Sequence, residues 1–142
     1  MTAALDDADR RARILIVDDE PNNRLLLQVM LSSDGYEIVT ASAGAEALEL
    51  VEQAPPDLIV LDVMMPGMDG YQVATRIKAN PATRHIPVIM LTALSDRNSM
   101  IHGLNAGAEE FLTKPVVRAE LSVRVKNLLR LTEPGSGGAV EA

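Results

Sequence analysis

The sequence predicts an open three-layer α/β/α sandwich, a (βα)5 chain wound around a five-stranded parallel sheet. Five short runs rich in Val, Ile and Leu alternate with longer segments of helical period. Four of the five runs are nearly continuous in apolar residues, the mark of strands covered on both faces. Strands that alternate with covering helices, joined by right-handed crossovers, give this architecture.

RILIVDD (13–19) is the first predicted strand. In the helix predicted at 22–33, Leu25, Leu26, Val29 and Met30 are expected to face the sheet, with Arg24 and Gln28 opposite. Gly35 follows where a left-handed residue ends a helix. YEIVT (36–40) is the second strand; a helix at 45–53 uses Ala47, Leu48 and Val51, and Pro55 and Pro56 stop it. DLIVLD (57–62) precedes a third helix at 70–79, apolar at Val73, Ala74 and Ile77. After PVIMLT (87–92), the segment 96–106 is a weaker helix, interrupted by Asn98, Gly103 and Asn105 and closed by Gly107. EEFLTK (109–114) is the fifth strand, and the last helix carries Leu121, Val125, Leu128 and Leu129 as a stripe. The expected organisation is a flexible segment 1–12, one domain over 13–131, and a Gly-rich polar tail 132–142 that serves as linker or frayed end.

A chain of 142 residues buries about two thirds of its unfolded surface in one core. Tyr36, Tyr71 and Phe111 are its only aromatics, so Leu, Val, Ile and Met fill that core. The absence of cysteine excludes disulfides, thiolate metal sites and cysteine nucleophiles, and makes a cytoplasmic address the expectation. MTAALDDADRRA lacks an apolar signal core and no apolar run reaches the length of a membrane span, so no membrane association is expected. A net charge of −7 argues against direct nucleic-acid binding and favours small cations and basic partner faces.

Ligands of open parallel sheets bind beyond the carboxyl ends of the strands. There the first strand ends in Asp18, Asp19 and Glu20, the third in Asp62, the fourth in Thr92 and the fifth in Lys114 and Pro115. Each has a plain structural use: the first three as caps before Pro21, Asp62 as a turn former, Thr92 as a β-former or cap, Lys114 as a solvated charge. Their gathering at one edge is harder to assign to independent caps. Three neighbouring carboxylates repel, and one lysine does not neutralise them. An all-oxygen set suits Mg²⁺ or Mn²⁺ rather than zinc.

A cation, an ammonium and a hydroxyl around a carboxylate can receive a phosphoryl group, and aspartate is an acceptor that forms an acyl phosphate. Asp62, on the central strand, is the best placed. Pro66, Gly67 and Gly70 let the following loop turn sharply and expose the Met64 amide. His85 and His102 lie away from this edge and read as surface residues. Met64, Met65 and Met68 read as loop packing.

These residues resemble the receiver domain of two-component response regulators, the CheY-like member of the flavodoxin-like folds. The resemblance spans about 13–131: an acidic pair, an acceptor Asp before MPGMDG, a Thr-Ala and a Lys-Pro, in the family's order. It implies strand order 2-1-3-4-5 and phosphoryl transfer from a histidine kinase or histidine phosphotransfer protein. It implies no enzymatic turnover beyond self-phosphorylation and autodephosphorylation on Asp62.

Carried over, Asp62 is the acceptor. Asp19 and Asp62 bind the metal directly, Asp18 through water and Met64 through its backbone carbonyl. Lys114 pairs with the phosphoryl oxygens, and Thr92 swings its hydroxyl onto them. Phe111 is the aromatic switch, able to rotate but not to donate a hydrogen bond. The Lys114–Pro115 bond is cis. The face of helix 4, strand 5 and helix 5 then acts on a downstream effector or output domain, and a homodimer through it is compatible with the family. Val116 stands where the family often has phenylalanine, and Met64 and Leu94 are apolar neighbours that leave the phosphate's lifetime open. LDVMMPGMDG and RHIPVI also resemble receivers linked to diguanylate cyclases.

Two other readings remain. A haloacid-dehalogenase-type phosphatase shares an Asp nucleophile, Mg²⁺, Thr and Lys, but needs a second Asp where Met64 stands, and no cap domain follows here. A phosphorylation-independent receiver-like interaction module would keep the fold alone; the intact site residues speak against it.

Overall fold

Five strands form one parallel sheet in the order β2-β1-β3-β4-β5, the order the resemblance implies. They are β1 (Arg13–Val17), β2 (Glu37–Ala41), β3 (Leu58–Asp62), β4 (Val88–Thr92) and β5 (Glu110–Thr113). The structure, a computed structural model, describes residues 11–93, 101 and 105–132. Most of the helix expected at 96–106, the expected flexible segment up to residue 10, the tail from 133, Leu94 and His102 lie outside the described residues.

Strand residues alternate between two cores. Leu15, Val17, Ile59, Leu61, Val88 and Met90 point to one face, against helices α2 (Gly44–Gln53) and α3 (Gly70–Ala79), which bury Ala47, Val51, Val73, Ala74 and Ile77. Ile14, Ile16, Leu58, Val60, Ile89 and Leu91 point to the other. There they meet Leu27 and Leu31 of α1 (Pro21–Ser32) and Leu121, Val125 and Leu128 of the C-terminal helix (Arg118–Thr132). β3 and β4 are buried along their whole length, which explains their unbroken apolar runs. Gly35 and Gly107 take positive φ, +94° and +96°, at the positions where the sequence calls for left-handed turns.

One helix face is corrected. The expected core stripe of α1, Leu25, Leu26 and Val29, is exposed, whereas Leu27 and Leu31 are buried with Met30, Arg24 and Gln28 at intermediate exposure. Apolar residues fill positions 25–27 and 29–31, so α1 carries two stripes of helical spacing and either could cover the sheet. The inward set is 24, 27, 28 and 31, with Met30 packed at its edge, and in it Arg24 donates from Nη1 to the Asp18 carbonyl at 2.8 Å.

A cluster at the amino end of the sheet secures the last strand. Lys78 Nζ donates to the Arg84 and Ile86 carbonyls (3.1 and 2.6 Å) and to Glu109 Oε2 (2.8 Å), while Glu109 Oε1 accepts from the Val88 amide at 2.7 Å. Gly107 packs flat on this lysine: a Cβ there would stand 2.8 Å from Lys78 Cγ.

Candidate functional site

Every site residue sits where a strand stops. β1 ends at Val17, so Asp18 and Asp19 are the first residues past it; Asp62 and Thr92 are the last residues of β3 and β4; Lys114 follows β5. The capping alternative resolves residue by residue. Glu20 is the N-cap of α1, accepting from the Asn22 amide at 3.1 Å with Pro21 in the first turn. Asp18 and Asp19 have no such role and are left for the site.

Asp18 is fully buried and held on three sides. Its amide donates to the Ala41 carbonyl at 3.1 Å, its Oδ1 accepts from the Glu20 amide at 2.9 Å, and its carbonyl accepts from Arg24. Its Oδ2 is buried with no hydrogen-bond partner among the described residues. Burial raises its pKa above 3.8; the bond from Glu20 and the nearby Lys114 oppose this, and the charges of Asp62 and Asp19 add to it. With the pKa raised, Asp18's contribution to stability is full below pH 3.8 and is lost as pH rises above 3.8 through the raised folded-state pKa. Burial and the neighbouring charges of Asp62 and Asp19 therefore disfavour the ionised form in the metal-free fold. Asp18→Asn keeps an acceptor for Glu20 and removes one repelling charge; without divalent metal its melting temperature is expected to rise by about 3 °C, roughly 1 kcal/mol. A lower melting temperature by circular dichroism would contradict this account.

Asp62 is 3% exposed and Asp19 is exposed; with Asp18 they bring carboxylate oxygens within 4.8 Å of one another. Lys114 Nζ lies 2.7 Å from Asp62 Oδ1 as an ion pair, and among the described residues that oxygen has no partner in hydrogen-bond geometry. The donor set fits a small hard cation: oxygen ligands only, the buried Asp18 Oδ2 without a hydrogen-bond donor among the described residues, and more negative charge than one ammonium offsets.

Thr92 is buried, and its Oγ1 has no partner among the described residues. The Lys114 amide donates to the Thr92 carbonyl at 2.8 Å, which ties the two side chains to one end of the sheet, and the Lys114–Pro115 bond is cis. Phe111 is half-buried in β5 against the α2–α3 core, and Val116 packs against the opposite core.

The loop after Asp62 divides its glycines between two tasks. Gly67 has φ +78° and makes the turn. Gly70 does not turn the chain: a Cβ there would collide with the Asp62 carbonyl and stand 2.9 Å from Val63 Cα, so α3 starts in direct contact with the backbone of Asp62. Met64 is 73% exposed at the mouth of the site and Met65 is buried. His85 is exposed and precedes β4, at the opposite end of the sheet. Sequence reading missed the Arg24 contact; the available signal was an arginine one inward turn from the acidic run.

Residues 14–126 match the response regulator receiver domain family. Over 119 residues, 84% of this chain, the sequence is 50% identical to response regulator PleD of Caulobacter vibrioides, and the aligned region spans 26% of that protein's length. A crystal structure of a putative response regulator from Chloroflexus aurantiacus superposes with TM-score 0.83 at 40% identity, covering 84% of this chain and 98% of that one. The receiver domain of the sensor histidine kinase PA1611 from Pseudomonas aeruginosa, with a magnesium ion coordinated in its active site cleft, superposes with TM-score 0.78 at 33% identity, covering 84% and 98%. Among the described residues no helix is long and apolar enough to cross a membrane. With the strand order, the acidic edge and these likenesses in agreement, the chain belongs to the receiver domains of two-component response regulators.

Proposed function

We propose that this domain is a phosphoacceptor: Asp62 takes a phosphoryl group from a phosphohistidine of a histidine kinase or phosphotransfer protein, in a reaction that needs Mg²⁺ or Mn²⁺. The carrying observation is the setting of Asp62, buried at the end of the central strand with Lys114 Nζ at 2.7 Å and two more carboxylates beside it. An Asp62 carboxylate oxygen forms the new P–O bond as the P–N bond to the donor imidazole breaks, and the leaving nitrogen keeps that electron pair. Asp18, Asp19 and Asp62, with the Met64 carbonyl, are the groups to hold the metal, as the magnesium in the PA1611 receiver supports. The metal supplies positive charge against the carboxylates and the incoming phosphoryl group. Lys114 holds the phosphoryl oxygens from the β5 side. The exposed stripe of Leu25, Leu26 and Val29 and the exposed Met64 and Val117 offer apolar surface for the donor protein.

The readout is a two-state switch. A buried Thr92 hydroxyl without a partner is a donor available to a phosphoryl oxygen, and its movement leaves room for Phe111. The face around β5 and the C-terminal helix then changes for a partner, an output domain or a second copy. A near-complete shift needs phosphoryl contacts that differ between states by about 5 kcal/mol. Phe111→Ala is expected to accept phosphate as the wild type does while partner binding loses its dependence on phosphorylation; unaltered dependence in a pull-down would refute the coupling.

The test is intact mass after incubation with Mg²⁺ and acetyl phosphate, beside Asp62→Asn. One added phosphoryl group in the wild type alone supports the proposal. Addition to both proteins would place the acceptor elsewhere. Addition to neither, with beryllofluoride also failing to bind, favours the phosphorylation-independent module.

A further inference from the structure

We infer that Arg24 is a positioning residue for the acidic turn, holding the Asp18–Asp19 peptide so that both carboxylates converge on Asp62. The inference rests on the reading that these carboxylates hold a divalent cation. Three hydrogen bonds fix Asp18, and they divide the work. The amide bond to Ala41 joins it to β2, and the bond from the Glu20 amide sets the plane of its carboxylate. Among the described residues, only the 2.8 Å bond from Arg24 Nη1 acts on the carbonyl, the peptide group that leads into Asp19. Asp19 is exposed, and its side chain has no hydrogen bond or ion pair among the described residues, so its direction depends on how that peptide is set. Arg24 is in turn anchored in the first turn of α1, its own amide donating to the Glu20 carbonyl at 3.0 Å. The guanidinium thus links the helix to the turn at the one point the other bonds leave free.

Charge and position act in opposite directions here. A guanidinium near an acidic cluster repels an arriving cation, so as a charge alone Arg24 would weaken metal binding. As a group that orients ligands it strengthens binding, and losing such a supporting contact typically costs 10–100-fold in metal affinity. Among the described residues Arg24 forms no ion pair, although three acids lie at positions 18–20. Its hydrogen bond goes to the peptide instead, which is the positioning role.

The experiment uses the whole chain with Arg24→Met, which keeps length without a donor, and Arg24→Lys, which restores charge and donor. Mg²⁺ affinity is read by titration calorimetry, and the metal-free protein by hydrogen exchange of the Glu20 amide. Arg24→Met is expected to bind Mg²⁺ about tenfold more weakly and to lose Glu20 protection without metal, with Arg24→Lys recovering most of both. Tighter Mg²⁺ binding by Arg24→Met would leave only a charge effect and overturn the inference. So would unchanged affinity and protection beside a lower melting temperature, the pattern of a merely structural residue. If the wild type itself fails to bind Mg²⁺, the metal reading fails; retained Glu20 protection in Arg24→Met would overturn the positioning role even then.

Discussion

Gly70→Ala is expected to destabilise the domain by about 3 kcal/mol, the upper range for a group forced into a filled space. The added methyl would have to displace the Asp62 carbonyl and Val63 Cα, both main-chain atoms of a fully buried strand end. No side-chain rotation relieves such a contact. The start of α3 must retreat, and this helix buries Val73, Ala74 and Ile77 in the larger core. Gly67→Ala is the informative comparison, since its φ of +78° strains an alanine but the space around it is open. Its cost is the left-handed penalty alone, about 1–2 kcal/mol. Urea unfolding followed by far-ultraviolet circular dichroism separates the two variants. Equal midpoints would mean that the close approach at residue 70 is not what the fold depends on. Gly70→Ala should also slow phosphoryl uptake, because the displaced carbonyl belongs to Asp62, the acceptor proposed above.

Mg²⁺ should raise stability by about 2.7 kcal/mol at a hundredfold excess over its dissociation constant, and Asp19→Asn should remove most of that gain. The burial of Asp18 and Asp62 makes the metal-free site costly, whereas the exposed Asp19 contributes little to the fold except charge at its rim. Asp19→Asn therefore isolates metal binding from structural damage: its metal-free melting temperature should be no lower than that of the wild type, since one charge beside Asp18 is removed. Thermal melts with and without Mg²⁺ test this. A wild-type melting temperature indifferent to Mg²⁺ would falsify the cation site. A full Mg²⁺ response in Asp19→Asn would assign the ligands differently.

The sheet was legible because its three central strands carry unbroken apolar runs that no amphipathic surface element would tolerate, as in Val88–Thr92. The gathering of the candidate site was legible for a geometric reason: a parallel sheet places the ends of its strands at one edge, so Asp62 and Thr92, which end β3 and β4, and Asp18 and Lys114, which follow β1 and β5, needed only correct strand ends to be brought together. The facing of α1 was not legible. Leu25, Leu26 and Val29 are as apolar as Leu27, Met30 and Leu31, and hydropathy alone does not choose between two stripes on one helix. The chosen face also carries a polar contact that hydropathy does not show, Arg24 on the Asp18 carbonyl. Gly70 shows a related ambiguity, because a glycine that permits a turn and a glycine that permits a close approach look alike in sequence. Lys78 likewise reads as a surface charge until the fold supplies its three acceptors.

Those acceptors give β5 the mechanics of a cantilever. Its root is bolted by Lys78 and Glu109 to the beginning of β4, through contacts that involve none of the site residues. Its tip is moored through Lys114, by one charge contact to Asp62 and one amide bond to the Thr92 carbonyl. Between root and tip β5 pairs with β4 along its whole length, from Glu110 opposite Ile89 to Thr113 opposite Thr92. Under the proposed phosphorylation of Asp62 the load enters at the Lys114 end, and the clamp at Lys78 and Glu109 holds the other end still.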